Sequence, residues 1–225
     1  MRWPRRRPAP DPRLPVLPAE PVSRTFGFDR GKPVDRWYIE RFLAEHAGDV
    51  RGRVLEVAER TYTEWYGGGD VTGSDVLYAA EGNATATVVG DLTTGDGIPQ
   101  AAYDCFICTQ TLQFVYDVHA AVAGTRSLLA PDGVLLATVP GISQISREDM
   151  RDWGDWWRFT ARSVERIFAA AYGAANVEVE QYGNVEAAAA FLYGLAAEDL
   201  GPGALKAVDP DFHLLITVRA VRRDV

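Results

Sequence analysis

The chain has 225 residues and a mass of 24.7 kDa, 47% hydrophobic and 24% charged, which suits one packed domain and excludes a wholly disordered polymer. Its formal charge of −8, from 23 basic and 31 acidic residues, repels phosphate backbones and argues against nucleic acid as a partner. No apolar run approaches the ~18 residues of a membrane helix, the N-terminus shows no apolar signal region, and two cysteines cannot build a disulfide framework, so a cytoplasmic protein is expected.

Residues 1–21 stand apart by composition. They hold seven of the thirteen prolines, and Arg2, Arg5, Arg6, Arg7 and Arg13 face only Asp11 and Glu20. This reads as a flexible, polyproline-like tail before a single domain over residues 22–225. After Pro33, the spacing of Val34, Tyr38, Ile39, Phe42 and Leu43 predicts an amphipathic helix, stopped by Gly48 and Gly52. Strands are expected at Arg53–Val57, Val71–Leu77, Ala86–Gly90 and Tyr103–Cys108. A helix over Asp117–Ala130 leads through the Pro131-Asp132-Gly133 turn into an apolar strand, Val134–Val139. Thr160 can cap the next helix, with Val164, Ile167 and Phe168 inward. A strand at Val177–Tyr182, an Ala-rich helix over Val185–Leu200 and a last strand at Phe212–Val221 complete the chain. Strands alternating with helices imply an α/β, doubly wound, mostly parallel sheet, with ligands at the C-terminal ends of its strands.

Acidic residues recur at those predicted ends. Glu56 closes the first strand, and Asp75 follows nineteen residues later near the end of the second, where nucleoside-binding α/β folds place an acid for the ribose hydroxyls. Asp91 closes the third strand, and Asp104 opens the fourth.

The order of GRVLEV, SDVLY, ATVVGDL, YDCFICTQTLQFVYD and LLAPDGVLLATVPG, closed by FHLLITVRAV, resembles the class I S-adenosylmethionine-dependent methyltransferases. The stretches PVSRTFGFDRGKPVDRWYIERFL and PGISQISREDMRDWGDWWRFT are similar to a bacterial subgroup often associated with glycosyltransferases. The resemblance implies a Rossmann-like sheet of seven strands with a final antiparallel strand, and S-adenosylmethionine as cofactor. Carried onto this sequence, it places Asp75 on the ribose, Asp91 and Leu92 at the adenine, and Thr109 and Gln110 beside the methionine moiety. Arg36 and Tyr38 would close over that end, with Glu56 at the first strand's edge. The implied activity is methyl transfer to a small-molecule or glycosidic acceptor, most simply on oxygen.

Two departures from the family pattern stand out. The first strand runs into Ala58, Glu59, Arg60 and Thr61, with no glycine before Gly67-Gly68-Gly69. Gln113 stands where many relatives carry a histidine, and glutamine cannot act as a base at neutral pH. A non-methylating reaction on the same fold (cyclisation, dehydration or rearrangement) and a non-catalytic binding role are therefore the alternatives.

For the acceptor, the segment WGDWWRFT offers Trp153, Trp156 and Trp157, which form either a hydrophobic plug or a wall for a planar or sugar face. Of the two adjacent rings, Trp156 is expected in the pocket and Trp157 in the core. Asp155 is the expected base or orienting carboxylate, His119 a second catalytic candidate, and Gln113 and Arg158 further acceptor contacts. His46 and His213 read as structural. Cys105 and Cys108 read as small buried residues, since positions three apart on a strand face opposite ways and no second pair exists for a metal. A homo-oligomer is compatible with all of this.

Overall fold

The computed structural model describes residues 18–201 and 203–224. Most of the proline-rich tail expected over residues 1–21 lies outside them.

The first helix, α1, spans Val34–Glu45 and starts directly after Pro33, whose missing N–H is no loss at a helix start. Val34, Tyr38, Ile39, Phe42 and Leu43 form its buried face. Strand β1 (Gly52–Val57) opens on Gly52 at φ +65, where a Cβ would collide with the Asp104 carboxylate. A six-residue helix, α2 (Thr61–Tyr66), leads to β2 (Val71–Tyr78), a two-residue β3 (Val88–Val89) and β4 (Tyr103–Thr109). Helix α3 (Val118–Leu128) is capped by Asp117, whose carboxylate accepts the Ala120 N–H, and β5 covers Leu129–Pro140. The remaining elements are α4 (Arg147–Asp152), α5 (Ala161–Tyr172), β6 (Val177–Tyr182), α6 (Val185–Leu192) and β7 (Leu215–Val221). Thr160 caps α5 as expected, in a reciprocal box with Ser163.

The seven strands form one sheet in the order β3-β2-β1-β4-β5-β7-β6, with β7 antiparallel to both β5 and β6. On one face, Leu55, Phe106 and Leu135 pack under Val122 of α3 and Phe168 and Tyr172 of α5. On the other, Val54, Ile107 and Leu136 meet Ile39 and Phe42 of α1 and Phe191 of α6. Each such side chain contributes roughly 1.5–3 kcal/mol by leaving water. Cys105 and Cys108 belong to this interior, and burial pushes the Cys108 thiol up to about 12, so neither is poised for chemistry.

Several elements differ from expectation, among them β5, which starts at Leu129 and runs through the expected Pro131-Asp132-Gly133 turn. Helix α6 ends at Leu192 instead of Leu200, because Gly194 turns at φ +67 and the Ser23 carbonyl lies 2.3 Å from where its Cβ would sit. Strand β2 runs on to Tyr78, past the predicted Leu77. Helices α2 and α4 fall where no element was expected. Among the described residues, no helix is long and apolar enough to cross a membrane, and no cluster of His, Cys, Asp or Glu could hold a metal.

Candidate active site

The parallel strands β1 and β4 are neighbours, and both end on a residue of unusual backbone conformation. Ala58 follows β1 at φ +69, and Gln110 follows β4 at φ +48. Left-handed backbone costs an L-residue roughly 1–2 kcal/mol, so each turn is held by its surroundings. Ala58 donates its N–H to the Leu77 carbonyl at 2.9 Å, and its own carbonyl accepts the Asn83 side-chain amide at 2.9 Å. Gln110 donates its N–H to the Thr138 carbonyl at 2.9 Å. The first turn thus keeps a glycine-like shape without a glycine.

Beside the Gln110 turn lies an open cavity of about 160 Å³. Its polar lining includes Asp35 and Arg36 from α1, Gln110 and Gln113 after β4, and Asp149 and Ser146 from the segment after β5. Phe26, Phe28, Phe114 and Phe191 supply apolar wall. Arg36 donates Nη1–H to the Tyr62 hydroxyl at 3.2 Å and lies 6.0 Å from the Phe28 ring centroid. Burial opposes its charge, but Asp35, Tyr62 and Glu59 outweigh that and hold the guanidinium firmly protonated. Gln113 is 4% exposed; its amide NH2 donates to the Gln110 carbonyl at 2.9 Å. Its Oε1 has no partner among the described residues. Flipping the amide would set two carbonyl oxygens face to face, so the orientation is fixed by Gln110.

Of the residues expected from sequence, the cavity gathers Arg36, Gln110, Gln113, Asp155 and Arg158. The last two prove to be architecture. Arg158 donates to both Asp155 oxygens, at 2.5 and 2.8 Å, and to the carbonyls of Ser143, Gln144 and Trp157. Asp155 also accepts the Ser146 N–H at 3.0 Å, and its side chain is 1% exposed. With its oxygens engaged this way, Asp155 is a clasp for the segment after β5 and not the expected base; Arg158 has no N–H left for an acceptor.

The other placements correct the reading further. Asp75 sits inside β2, opposite Leu55, and β2 ends three residues later at Tyr78. Burial raises its carboxyl, but hydrogen bonds from Arg53 and Thr87 together with the Arg53 charge win and leave it below the usual range. Arg53 itself lies over the Tyr103 ring at 4.8 Å. Glu56 is buried, with its carboxylate receiving the N–H groups of Tyr62 and Thr63 and the Thr63 hydroxyl, so it caps α2. Burial raises its carboxyl more than these bonds lower it. Tyr38 is fully buried and stacked on Tyr182 at 5.4 Å, and Leu92 packs in the core beneath α3. Thr109 is half-buried at the end of β4. Asp91 does lie just past β3, exposed, with Oδ1 bonded to Thr93.

His119, in the first turn of α3, is exposed and does not line the cavity. His213 accepts the Ala161 N–H at Nδ1, which confirms a structural use at the start of α5. The tryptophans neither line the cavity nor join the core. Trp156 and Trp157 are 52% and 36% exposed, both against Tyr116, and Trp153 meets Tyr78 edge-on at 5.8 Å. Sequence reasoning missed Asp35; its signal was only its place in the first turn of a helix beside a candidate cation.

A family model described as a methyltransferase domain matches residues 39–179, and the chain belongs to that family, whose cofactor is S-adenosylmethionine. Solved structures share the fold at low identity. The YcgJ protein from Bacillus subtilis is 14% identical over 84% of this chain and 100% of its own, with TM-score 0.53. Phosphoethanolamine N-methyltransferase 2 from Haemonchus contortus, in complex with S-adenosyl-L-methionine, is 13% identical over 84% of this chain and 53% of its own, with TM-score 0.53. The [4+2]-cyclase SpnF is 14% identical over 87% and 84%, with TM-score 0.55. No curated protein matches the chain in sequence.

The residues present fit the amino-acid end of such a cofactor. Arg36 keeps N–H groups beyond the one given to Tyr62 and lines the same cavity as Gln110. At the nucleoside end, Asp75 does not fit, because its oxygens are engaged and Tyr78 occupies the end of β2.

Proposed function

We propose that the chain transfers a methyl group from S-adenosylmethionine to a small-molecule or glycosidic acceptor, on oxygen. The observation that supports this best is the left-handed turn at Gln110, at the end of the central strand β4 and lining one cavity with Arg36, with a second such turn at Ala58 after the adjoining β1. In this reading Arg36 binds the cofactor's carboxylate through charge-assisted hydrogen bonds. Asp91, whose Oδ2 has no partner among the described residues, takes the nucleoside in place of Asp75. The bound cofactor supplies an electrophilic methyl on a sulfonium. The protein's part is alignment and exclusion of water: Gln113 and the phenylalanine walls orient the acceptor, and the Asp155–Arg158 clasp keeps the wall after β5 in place. Calorimetry with S-adenosylhomocysteine tests the cofactor, and mass spectrometry for a 14-dalton gain (~14 Da, one CH2) on hydroxylated acceptors tests the transfer.

A second reading is supported by Tyr78 at the strand end and by the alanine in the first turn. There the fold would run a rearrangement or cyclisation, with the cofactor as a structural element; SpnF carries such a name on a similar fold. Tight S-adenosylhomocysteine binding without methyl transfer to any acceptor would favour it.

A further inference from the structure

The segment that follows β5 does not stay on its own side of the sheet. β5 and β2 are separated by β4 and β1, three strand spacings or roughly 14 Å. Yet Trp153, directly after α4, meets Tyr78, the last residue of β2, edge-on at 5.8 Å between ring centroids. On the way, Ser146 and Asp149 line the cavity beside Gln110, just past the end of β4. The Trp156 N–H then donates to the Gln113 carbonyl at 2.9 Å, which brings the chain back. Residues 146–153 thus form a strap from β5 to β2 across the intervening strand ends, where a doubly wound sheet takes its ligands.

The strap is lightly seated. No residue of α4 is buried, and Ile145, Met150 and Trp153 are all exposed. Its two feet are joined, since the Ser146 N–H donates to Asp155 Oδ2 at 3.0 Å and Asp155 is held by Arg158. Gly154, at φ +86, links Trp153 to that anchored foot. A loop with its ends pinned together and little buried surface can swing as one body about its feet. Where it lies, it leaves a cavity of about 160 Å³ lined by no residue of β1, β2 or β3, against the roughly 300–1,000 Å³ of a pocket for a drug-sized ligand. S-adenosylmethionine, a nucleoside joined to an amino acid, needs more room than that.

We infer that residues 146–153 are a lid on the nucleoside half of the cofactor site, latched shut by Trp153 on Tyr78, and that the cofactor enters only after the latch opens. The inference rests on the cofactor reading above and adds its gating. The latch belongs to the shut position alone, because the nucleoside passes between the strap and the strand ends. Removing the Trp153 ring therefore takes nothing from the loaded protein and frees the unloaded one. An edge-on aromatic pair shifts an equilibrium by about three- to tenfold. With that pair as the main hold, the lid stands open in roughly a tenth to a quarter of molecules, and apparent affinity is reduced by that fraction.

The test uses the full chain labelled with 5-fluorotryptophan, with the Trp153 signal assigned through Trp153→Phe. Fluorine NMR follows the lid, and surface plasmon resonance follows S-adenosylhomocysteine. In the protein alone, the Trp153 signal should show a second environment, as a minor peak or as exchange broadening, and the Trp157 signal should not. Saturation with S-adenosylhomocysteine should move Trp153 fully to that second environment. Trp153→Ala should bind S-adenosylhomocysteine about four- to tenfold more tightly, through faster association, with dissociation within about twofold of wild type. Its Tm should stay within about 2 °C. Tyr78→Ala, which removes the other half of the latch, should speed association likewise. Equal or weaker binding by Trp153→Ala overturns the latch, because a ring that merely packs or touches the cofactor would lose affinity when removed. A single exchange-free Trp153 signal, or one unmoved by saturating S-adenosylhomocysteine, overturns the lid. Absence of binding in the wild type and both variants defeats the cofactor reading separately. The lid is then decided by fluorine exchange in the protein alone, where two environments support it and one overturns it.

Discussion

Two halves of the sheet and its flanking elements treat polar groups in different ways. Over β2 and β1, the acids are tied to the protein: Asp75 to Arg53 and Thr87, Glu56 to the start of α2. In the cavity beside β4, Gln113 Oε1, the remaining N–H groups of Arg36 and Asp35 Oδ2 lack partners among the described residues, while the Asp155–Arg158 pair after β5 is as tied as the acids of β1 and β2. Charge alone does not separate the halves, since both contain carboxylates and arginines. What separates them is whether each group already has its partner. An acid at a strand end is therefore a weak indication of a site, and an orphaned oxygen in a cavity is a stronger one.

Substitutions can break this contrast. On the tied side stability should move while ligand binding does not, and on the open side the reverse. The largest effect is expected at Glu56. Glu56→Ala strips two buried N–H groups of their acceptor, a loss of roughly 3 kcal/mol, which lowers Tm by about 6–12 °C in a domain of this size. A thermal melt with no change would mean that α2 finds another cap. Next comes Arg36→Ala, which removes charge-assisted bonds worth roughly 2 kcal/mol and should weaken S-adenosylhomocysteine about 30-fold by calorimetry. Its Tm should stay within about 2 °C of wild type.

Ala58→Gly sharpens the contrast from the other direction. Relief of left-handed strain outweighs the extra chain entropy of glycine, for a gain of about 0.5–1 kcal/mol and a Tm higher by roughly 2 °C. The smallest effect belongs to Asp75→Asn. Its half-exposed arginine partner limits the pair to under about 1 kcal/mol. Because the folded carboxyl is held below its usual range, that contribution is complete above the unfolded value near ~3.9 and fades as pH falls through the folded one. Melts of wild type and variant should thus differ at pH 7 and converge in acid, with cofactor affinity equal throughout.

Much of the fold was legible because its signals are local. Pro33 and the i, i+4 spacing of Tyr38 and Phe42 announce α1, and Thr160 announces α5. The apolar stretch at Val134–Val139 could only be a strand covered on both faces. Helices α2 and α4 escaped because six residues are too few to show a period. The Gly194 turn that shortens α6 was present in the sequence, but its cause, the Ser23 carbonyl, is distant in the chain. Site residues fared worse for a physical reason. The strand expected at Val71–Leu77 already passes Asp75, but residue types alone do not show that Arg53 and Thr87 take up the Asp75 oxygens. Whether Asp155 and Arg158 face a ligand or each other is decided by a loop that folds on itself, and residue types alone do not reveal it.

Five N–H groups on one planar ion give the segment after β5 a mechanical character. Ser143, Gln144, Asp155 and Trp157 all converge on Arg158. A hub with that many spokes does not loosen by degrees, since shifting one strut misaligns the rest of the rigid fork. Lysine at this position could satisfy three of the contacts at most, in a different geometry. The wall therefore acts as a fixed frame against which a substrate is gauged, and drift in substrate preference would proceed by exchanging the side chains that surround the frame while the frame itself stays put.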